Sequence, residues 1–205
     1  KQKTAYEIYQ CDWSSDVCSS DLLVNVIVPR PIAFVSTIST TGVPNVAPFS
    51  FFNAFCGDPP IVGFAPNNNP PKDTLVNARD TGEFVVNIVT EEIAEQMNLT
   101  AKRYPPEVNE FEIAKLTAAP SQIVRAPRVL ESPVNLECKV KQIIEISNRP
   151  DGNSLVIGEV VCFHVDDSVI DSRYRIDSEK LHAIGRLGGT AYTKTRDRLH
   201  MVRPG

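Results

Sequence analysis

Lys72-Asp73-Thr74 is the segment with the most explicit chemistry. It follows a polar, proline-rich stretch, Asn67 to Pro71, and opens a short helical pattern from Lys72 to Asp80 with Gly82 just beyond it. Backbone N–H groups at such a helix start, the helix dipole, the Thr74 hydroxyl and the Lys72 charge suit a phosphate or another anion. The same residues suit a plain helix start, with Asp73 or Thr74 as the cap and Lys72 in solvent. Arg30 stands between Pro29 and Pro31, which hold its backbone extended. Its guanidinium can meet a phosphate or carboxylate bidentately, or serve a structural ion pair. Ser36 and Thr37 close an apolar strand pattern near the turn Thr40-Thr41-Gly42, where their hydroxyls either reach a ligand or supply ordinary outward polarity. Ser50-Phe51-Phe52-Asn53 sets two aromatics between two polar residues. On an extended strand Phe51 and Phe52 face opposite sides, so at most one faces a ligand and the other is core.

Other residues carry less. His164, His182 and His200 stand apart, without the carboxylate spacing of a metal site, and read as solvated or core. Cys56 reads as a buried thiol. Gly185-Arg186-Leu187-Gly188-Gly189-Thr190 is not a dinucleotide-binding glycine motif and lacks the strand-to-helix context of one.

The elements that must position these residues are mostly strands. Leu23 to Val28, Ile32 to Ser39, Val43 to Cys56, Ile61 to Ala65 and Glu83 to Val89 are β-branched or apolar runs bounded by Pro, Gly and Asp. Thr90 to Ala101 reads as a helix with Glu91 and Glu92 in its first turn. Tyr104 to Arg128 is irregular, with a turn of helix around Phe111. Val134 to Ser147 and Ser154 to Asp166 form a long hairpin around Asp151-Gly152. From Asp171 onward the signals are few. Many strands with two or three short helices predict a mainly β fold, a closed or partly open antiparallel barrel.

The first 22 residues read differently. Asp12 to Leu22, DWSSDVCSSDL, resembles a translated short-read sequencing-library adapter, and Lys1 to Ile8, KQKTAYEI, resembles its other part in matching order and frame. Residues 1–22 are therefore read as adapter-derived and residues 23–205 as a single domain. Without the former, 19 basic and 21 acidic residues remain, a formal charge of −2 in place of −4. That balance argues against nucleic acid and anionic membranes as partners. The longest apolar runs fall well short of the roughly 20 residues of a membrane helix. Cys56, Cys138 and Cys162 remain, with no C-x-x-C spacing. They predict neither a disulfide framework nor a zinc site, and favour a reducing, cytoplasmic setting.

Five blocks in order carry a resemblance. They are PRPIAFVSTISTTGVPNVAPFSFFNAFCGDPP (Pro29–Pro60), KDTLVNARDTGEFVVNIV (Lys72–Val89), SPVNLECKV (Ser132–Val140), LVIGEVVCFHVDD (Leu155–Asp167) and GRLGGTAY (Gly185–Tyr192). Together they resemble the flavin-reductase-like FMN-binding family, which includes NAD(P)H:flavin oxidoreductases and flavoredoxin-like proteins. The resemblance implies a split β-barrel of Greek-key antiparallel type with a few short helices. It implies FMN bound at a homodimer interface, with hydride from NADH or NADPH. Electrons would pass on to oxygen, to a metal or disulfide acceptor, or to a partner monooxygenase. The alternative is an FMN-binding electron carrier without direct NAD(P)H activity. A split-barrel oxidase acting on a small amine would want more basic residues near the ring. The implied cofactor set is Arg30, Ser36, Thr37, Ser50, Phe51, Phe52, Asn53, Lys72, Asp73 and Thr74, with Ser50 and Asn53 at the ring edge. No side chain is expected to act as acid or base, because the flavin carries the chemistry. The Gly185 loop is expected near the cofactor mouth, and His182 is the histidine to watch near the nicotinamide. One departure stands out: Lys115 occupies a position where the family pattern suggests glycine.

Overall fold

The computed structural model describes residues 19–205. Of residues 1–22, read as adapter-derived, 1–18 lie outside the described residues; Ser19 to Leu22 begin α1, with Asp21 and Leu22 exposed. The elements run α1 (Ser19–Val26), β1 (Arg30–Pro31), β2 (Ala33–Ile38), β3 (Pro44–Phe49), β4 (Phe52–Gly57), β5 (Pro60–Phe64), α2 (Asp73–Thr81) and β6 (Glu83–Ile88). A 3₁₀ turn (Glu91–Ile93) then leads into α3 (Ala94–Leu99), followed by α4 (Glu110–Ala114), β7 (Ala118–Ala119), β8 (Arg128–Val129), β9 (Val134–Glu145) and β10 (Ser154–Val165). A second 3₁₀ turn (Asp167–Val169), α5 (Ser178–Leu181), β11 (Ile184–Arg186) and β12 (Tyr192–Lys194) complete the chain.

Seven strands pair antiparallel in the order β3-β2-β6-β9-β10-β5-β4. The two edge strands, β3 and β4, are joined by Ser50 and Phe51 alone. A sheet with so short a link between opposite edges must roll up, and the product is a split β-barrel. A small sheet, β1-β11-β12, flanks it.

β2 explains why its sequence is almost continuously apolar. Ala33 and Val35 face the barrel interior with Phe49, Phe64, Leu75, Phe84 and Val86. Phe34 faces the opposite way, into a second core with Ile32, Val46, Met97, Phe111 and Ile184 under α3 and α4. A strand buried on both faces loses the alternation of a half-exposed one. Inside the barrel, Phe64 and Phe84 meet edge to face at 5.2 Å. Gly158 makes room for them, since a Cβ there would stand 2.5 Å from the Phe84 ring.

Several expectations are corrected. Leu23 to Val28 belongs largely to helix α1, not to a strand; short apolar runs do not distinguish the two by periodicity. The Arg30 guanidinium decides the matter by donating to the carbonyls of Val24 and Ile27 at the helix end. No side chain caps α2, so neither Asp73 nor Thr74 does so, and Gly82 closes the helix in the left-handed region at φ 74°. The Thr90–Ala101 helix begins as a 3₁₀ turn, and its first residue, Thr90, makes no side-chain cap. Cys56 is exposed rather than buried. The tail after Asp171 holds α5, β11 and β12, which local signals did not show.

Lys115 ends α4 in the left-handed region, φ 55° and ψ 42°, with its N–H donating to Glu112 and Phe111 carbonyls. This is a glycine conformation adopted by a β-carbon-bearing residue. Lys115→Gly is expected to stabilise the fold by about 1 kcal/mol, read as a higher midpoint in urea unfolding.

Candidate functional site

The residues singled out by the sequence fall into three groups. The first is buried polar structure. Ser36 and Thr37 are fully buried on opposite faces of β2. Ser36 Oγ donates to the Pro127 carbonyl at 2.5 Å and accepts from Asn87 Nδ2 at 3.1 Å. Thr37 Oγ1 donates to Asn45 Oδ1 at 3.2 Å, and Thr74 Oγ1 donates to the same oxygen at 2.8 Å. Asn77 on α2 donates to Thr37, and Asn45 donates to Glu110 Oε1 at 2.9 Å. This network clamps α2 and α4 to the barrel. Burial pushes the Glu110 carboxyl up against the pull of its amide and Asn45 hydrogen bonds.

The second group is the mouth of α2. Lys72 and Asp73 are half-buried. No side chain caps the helix; the Leu75 and Val76 amides donate to the Lys72 carbonyl at 2.9 and 3.2 Å, which leaves the Asp73 and Thr74 N–H groups for another acceptor. Arg103 lies beside them, donating to the Pro71 carbonyl at 2.9 Å. Burial raises the Asp73 carboxyl, Arg103 and Lys72 pull it down, and the neighbouring Glu107 charge pushes it up again. Lys72 and Arg103 balance Asp73 and Glu107 there, and two cationic side chains with the free Asp73 and Thr74 amides are a donor set that fits a phosphate.

The third group surrounds the barrel seam. Arg30 is buried, donating to Leu187 O at 2.9 Å and lying 3.4 Å from Ser50 Oγ in addition to its bonds to α1. Burial and the nearby Arg186 charge lower its pKa. Phe52 packs against the barrel core, and Phe51 is exposed, as their opposite faces require. Asn53 is exposed and its Oδ1 accepts from the Ala54 amide at 2.9 Å. Ser50 opens into a hollow of about 170 Å³ walled by Ile32, Pro48, Met97, Asn98, Arg186 and Tyr192. The hollow shares Met97, Asn98 and Tyr192 with a cleft of about 550 Å³ beside α3 and β12. Arg186 lies over the Tyr192 ring at 4.4 Å from its centroid. The seam thus combines an apolar floor, two arginines and a strand end carrying Ser50 and Asn53.

The sequence model of the flavin reductase like domain matches residues 26–180. The chain belongs to this family. A protein of Aquifex aeolicus is 44% identical over 176 residues, covering 84% of this chain and 88% of that protein. Among solved structures, nitrilotriacetate monooxygenase component B from Bacillus cereus superimposes with a TM-score of 0.84 at 34% identity, covering 98% of this chain and 95% of that one. The 2-nitrobenzoate 2-nitroreductase NbaA of Pseudomonas fluorescens gives 0.83 at 33% identity, covering 93% and 96%. The flavin-reductase-like chain described here is accordingly a flavin-related oxidoreductase or electron carrier. No helix among its described residues is long and apolar enough to cross a membrane.

Sequence reading missed Arg103, Arg186 and Tyr192. Arg186 and Tyr192 were visible only as members of the GRLGGTAY block. Their place at the seam follows from β11 pairing with β1, Arg186 opposite Arg30. His182 ends α5 in the left-handed region and its carbonyl accepts from Glu91 N, near a separate polar hollow with Thr90 and Lys180.

Arg30 ties α1, the chain at Leu187 and the seam together. Arg30→Met is expected to cost about 2 kcal/mol, because three part-buried carbonyls, of Val24, Ile27 and Leu187, lose a charged donor. Urea unfolding of wild type and variant checks this.

Proposed function

We propose that this chain is an FMN-dependent oxidoreductase that accepts hydride from NADH or NADPH and passes electrons to oxygen, a metal or disulfide acceptor, or a partner monooxygenase. The observation that carries the reading is the open seam at Ser50, continuous with the cleft beside α3. It offers room for a second flat ring next to the segment Ser50–Asn53. The monooxygenase component and the nitroreductase, each about a third identical in sequence, support a redox role with a partner or a small acceptor.

When bound, FMN supplies reversible two-electron chemistry at its ring, which no side chain of this chain can supply. The residues do the rest. Lys72, Arg103 and the Asp73 and Thr74 amides of α2 would hold the phosphate. Ser50, Phe51 and Asn53 orient the ring edge and face, and Arg30 with Arg186 keeps positive charge at that end. Ser36, Thr37, Phe52 and Thr74 keep the strands and helix that carry these groups in register, and Asp73 contributes its backbone N–H at the helix start. The exposed apolar side chains Phe55, Phe163, Tyr174 and Ile176 fit a twofold homodimer, the assembly we assign to the working protein.

Lys72→Ala should weaken FMN roughly tenfold and leave riboflavin unchanged, because only FMN has a phosphate to lose a charge-assisted bond worth about 1.5–3 kcal/mol. Equal losses in fluorescence titrations with the two flavins would place the phosphate elsewhere. Stopped-flow mixing with NADH and NADPH separates reductase from carrier. We expect bound FMN to bleach faster than free FMN. Bleaching no faster, together with electron delivery from dithionite-reduced protein, would establish a carrier.

A further inference from the structure

We propose that Glu137, Cys162 and His164 form a binding site for one divalent transition-metal ion of the zinc class. The three residues lie on neighbouring strands of the barrel wall. A β-bulge between Val160 and Cys162 shifts the register so that Cys162 stands opposite Glu137, and His164 follows on the same face. Their donor atoms, Oε1, Sγ and Nε2, all lie within 4.8 Å of one another.

The carboxylate is fully built. Glu137 is completely buried. Its Oε2 accepts from the Ile123 and Val124 amides at 2.7 and 3.0 Å, and its Oε1 from the Gln122 amide at 2.7 Å. A carboxylate oxygen has two in-plane acceptor directions. Three of the four are thus filled by backbone, and the fourth points at His164 Nε2, 2.5 Å away. Burial opposes the charged form, but the three amides and His164 outweigh it and hold the Glu137 carboxyl down at about 2. The acid is therefore an anion fixed in orientation by backbone, the arrangement that surrounds ligating carboxylates in metal sites.

The thiol completes the set. Cys162 Sγ lies 3.6 Å from the same Nε2 that faces Glu137. One ring nitrogen carries one proton or one lone pair and cannot serve both partners at once. A cation in the space between them can serve all three. Zinc–sulfur and zinc–nitrogen bonds of about 2.3 and 2.0–2.1 Å at a tetrahedral angle separate the two ligand atoms by about 3.5 Å, close to the distance present. The Glu137–His164 contact would open by roughly 0.9 Å to reach its own tetrahedral edge. His164 has a side chain 16% exposed, which gives the ion a path from solvent. Gln122 Oε1, 3.9 Å from Cys162 Sγ, or a water can take the fourth position. Mixed sulfur, nitrogen and oxygen donors select a borderline-soft ion over magnesium or calcium. Binding releases the thiol proton and moves the Nε2 proton to Nδ1 or to solvent. The bound ion would tie β9 and β10 to residues 122–124.

Sequence spacing concealed this cluster. Cys162-x-His164 is not a zinc pattern by itself, and Glu137 reaches it only through the hairpin pairing. The test is a Co²⁺ titration of the reduced, chelator-stripped full chain, followed in the near ultraviolet and visible. We expect one Co²⁺ per chain with a thiolate-to-cobalt charge-transfer band, displaced by Zn²⁺. The band should vanish in Cys162→Ser and persist in Cys56→Ser. His164→Gln should bind Co²⁺ at least roughly tenfold more weakly. Thermal melts of each variant establish that it is folded. Absence of the band in folded wild type, or its survival in Cys162→Ser, would overturn the site.

Discussion

The link of two residues between β3 and β4 is the constraint on which the architecture depends. Seven strands laid flat at about 4.8 Å spacing would put their outer edges about 29 Å apart. Three Cα steps from Phe49 to Phe52 span at most about 11 Å. The sheet must therefore curl until its edges nearly meet, and Ser50 and Phe51 lie on the seam by necessity. Ser50 and the exposed ring of Phe51 thus stand where the barrel is open. The interior can then be filled by single large side chains such as Phe64 and Phe84, with Gly158 yielding the space that they take.

Closure leaves an outer surface that is also covered, and buried polar groups hold the cover on. Asn87 and Asn135 join β6 and β9 and receive the Val129 amide and Arg128. Ser36 reaches the Pro127 carbonyl within the same layer. On the opposite face of β2, Thr37, Asn45, Thr74 and Asn77 bind α2 to the barrel. Such groups must be paired once removed from water, since an unmet buried donor or acceptor costs about 1–3 kcal/mol. That requirement turns the hydroxyls of Ser36, Thr37 and Thr74 inward, although their residue types also suit a ligand.

The charges follow the same logic. The net charge is small, so local placement matters more than the sum. Arg30 and Arg186 come together because β1 pairs with β11, which concentrates positive charge at the seam. Glu91 is held at about 2 by Arg196 first and Lys194 next, which docks the segment after β12 against the start of α3. The cleft beside α3 is walled by Glu91 and Lys194 of this cluster and floored by Met97, Leu99 and Ile184.

The mainly β character, the long hairpin around Asp151-Gly152, the α2 helix with its closing Gly82 and the turn of helix at Phe111 were legible in local pattern and turn chemistry. These depend on neighbouring residues, whose propensities act over one or two turns or a single hairpin. The helical state of Leu23 to Val26 was not legible, because its end is held by Arg30 across a proline-bounded turn. Nor was the meeting of Arg186 with Ser50, the inward turn of Thr74, or the convergence of Glu137, Cys162 and His164. Those were decided by strand order, by one bulge in β10 and by which polar groups had to find partners once buried. All three arise only when residues far apart in the chain are brought onto one face.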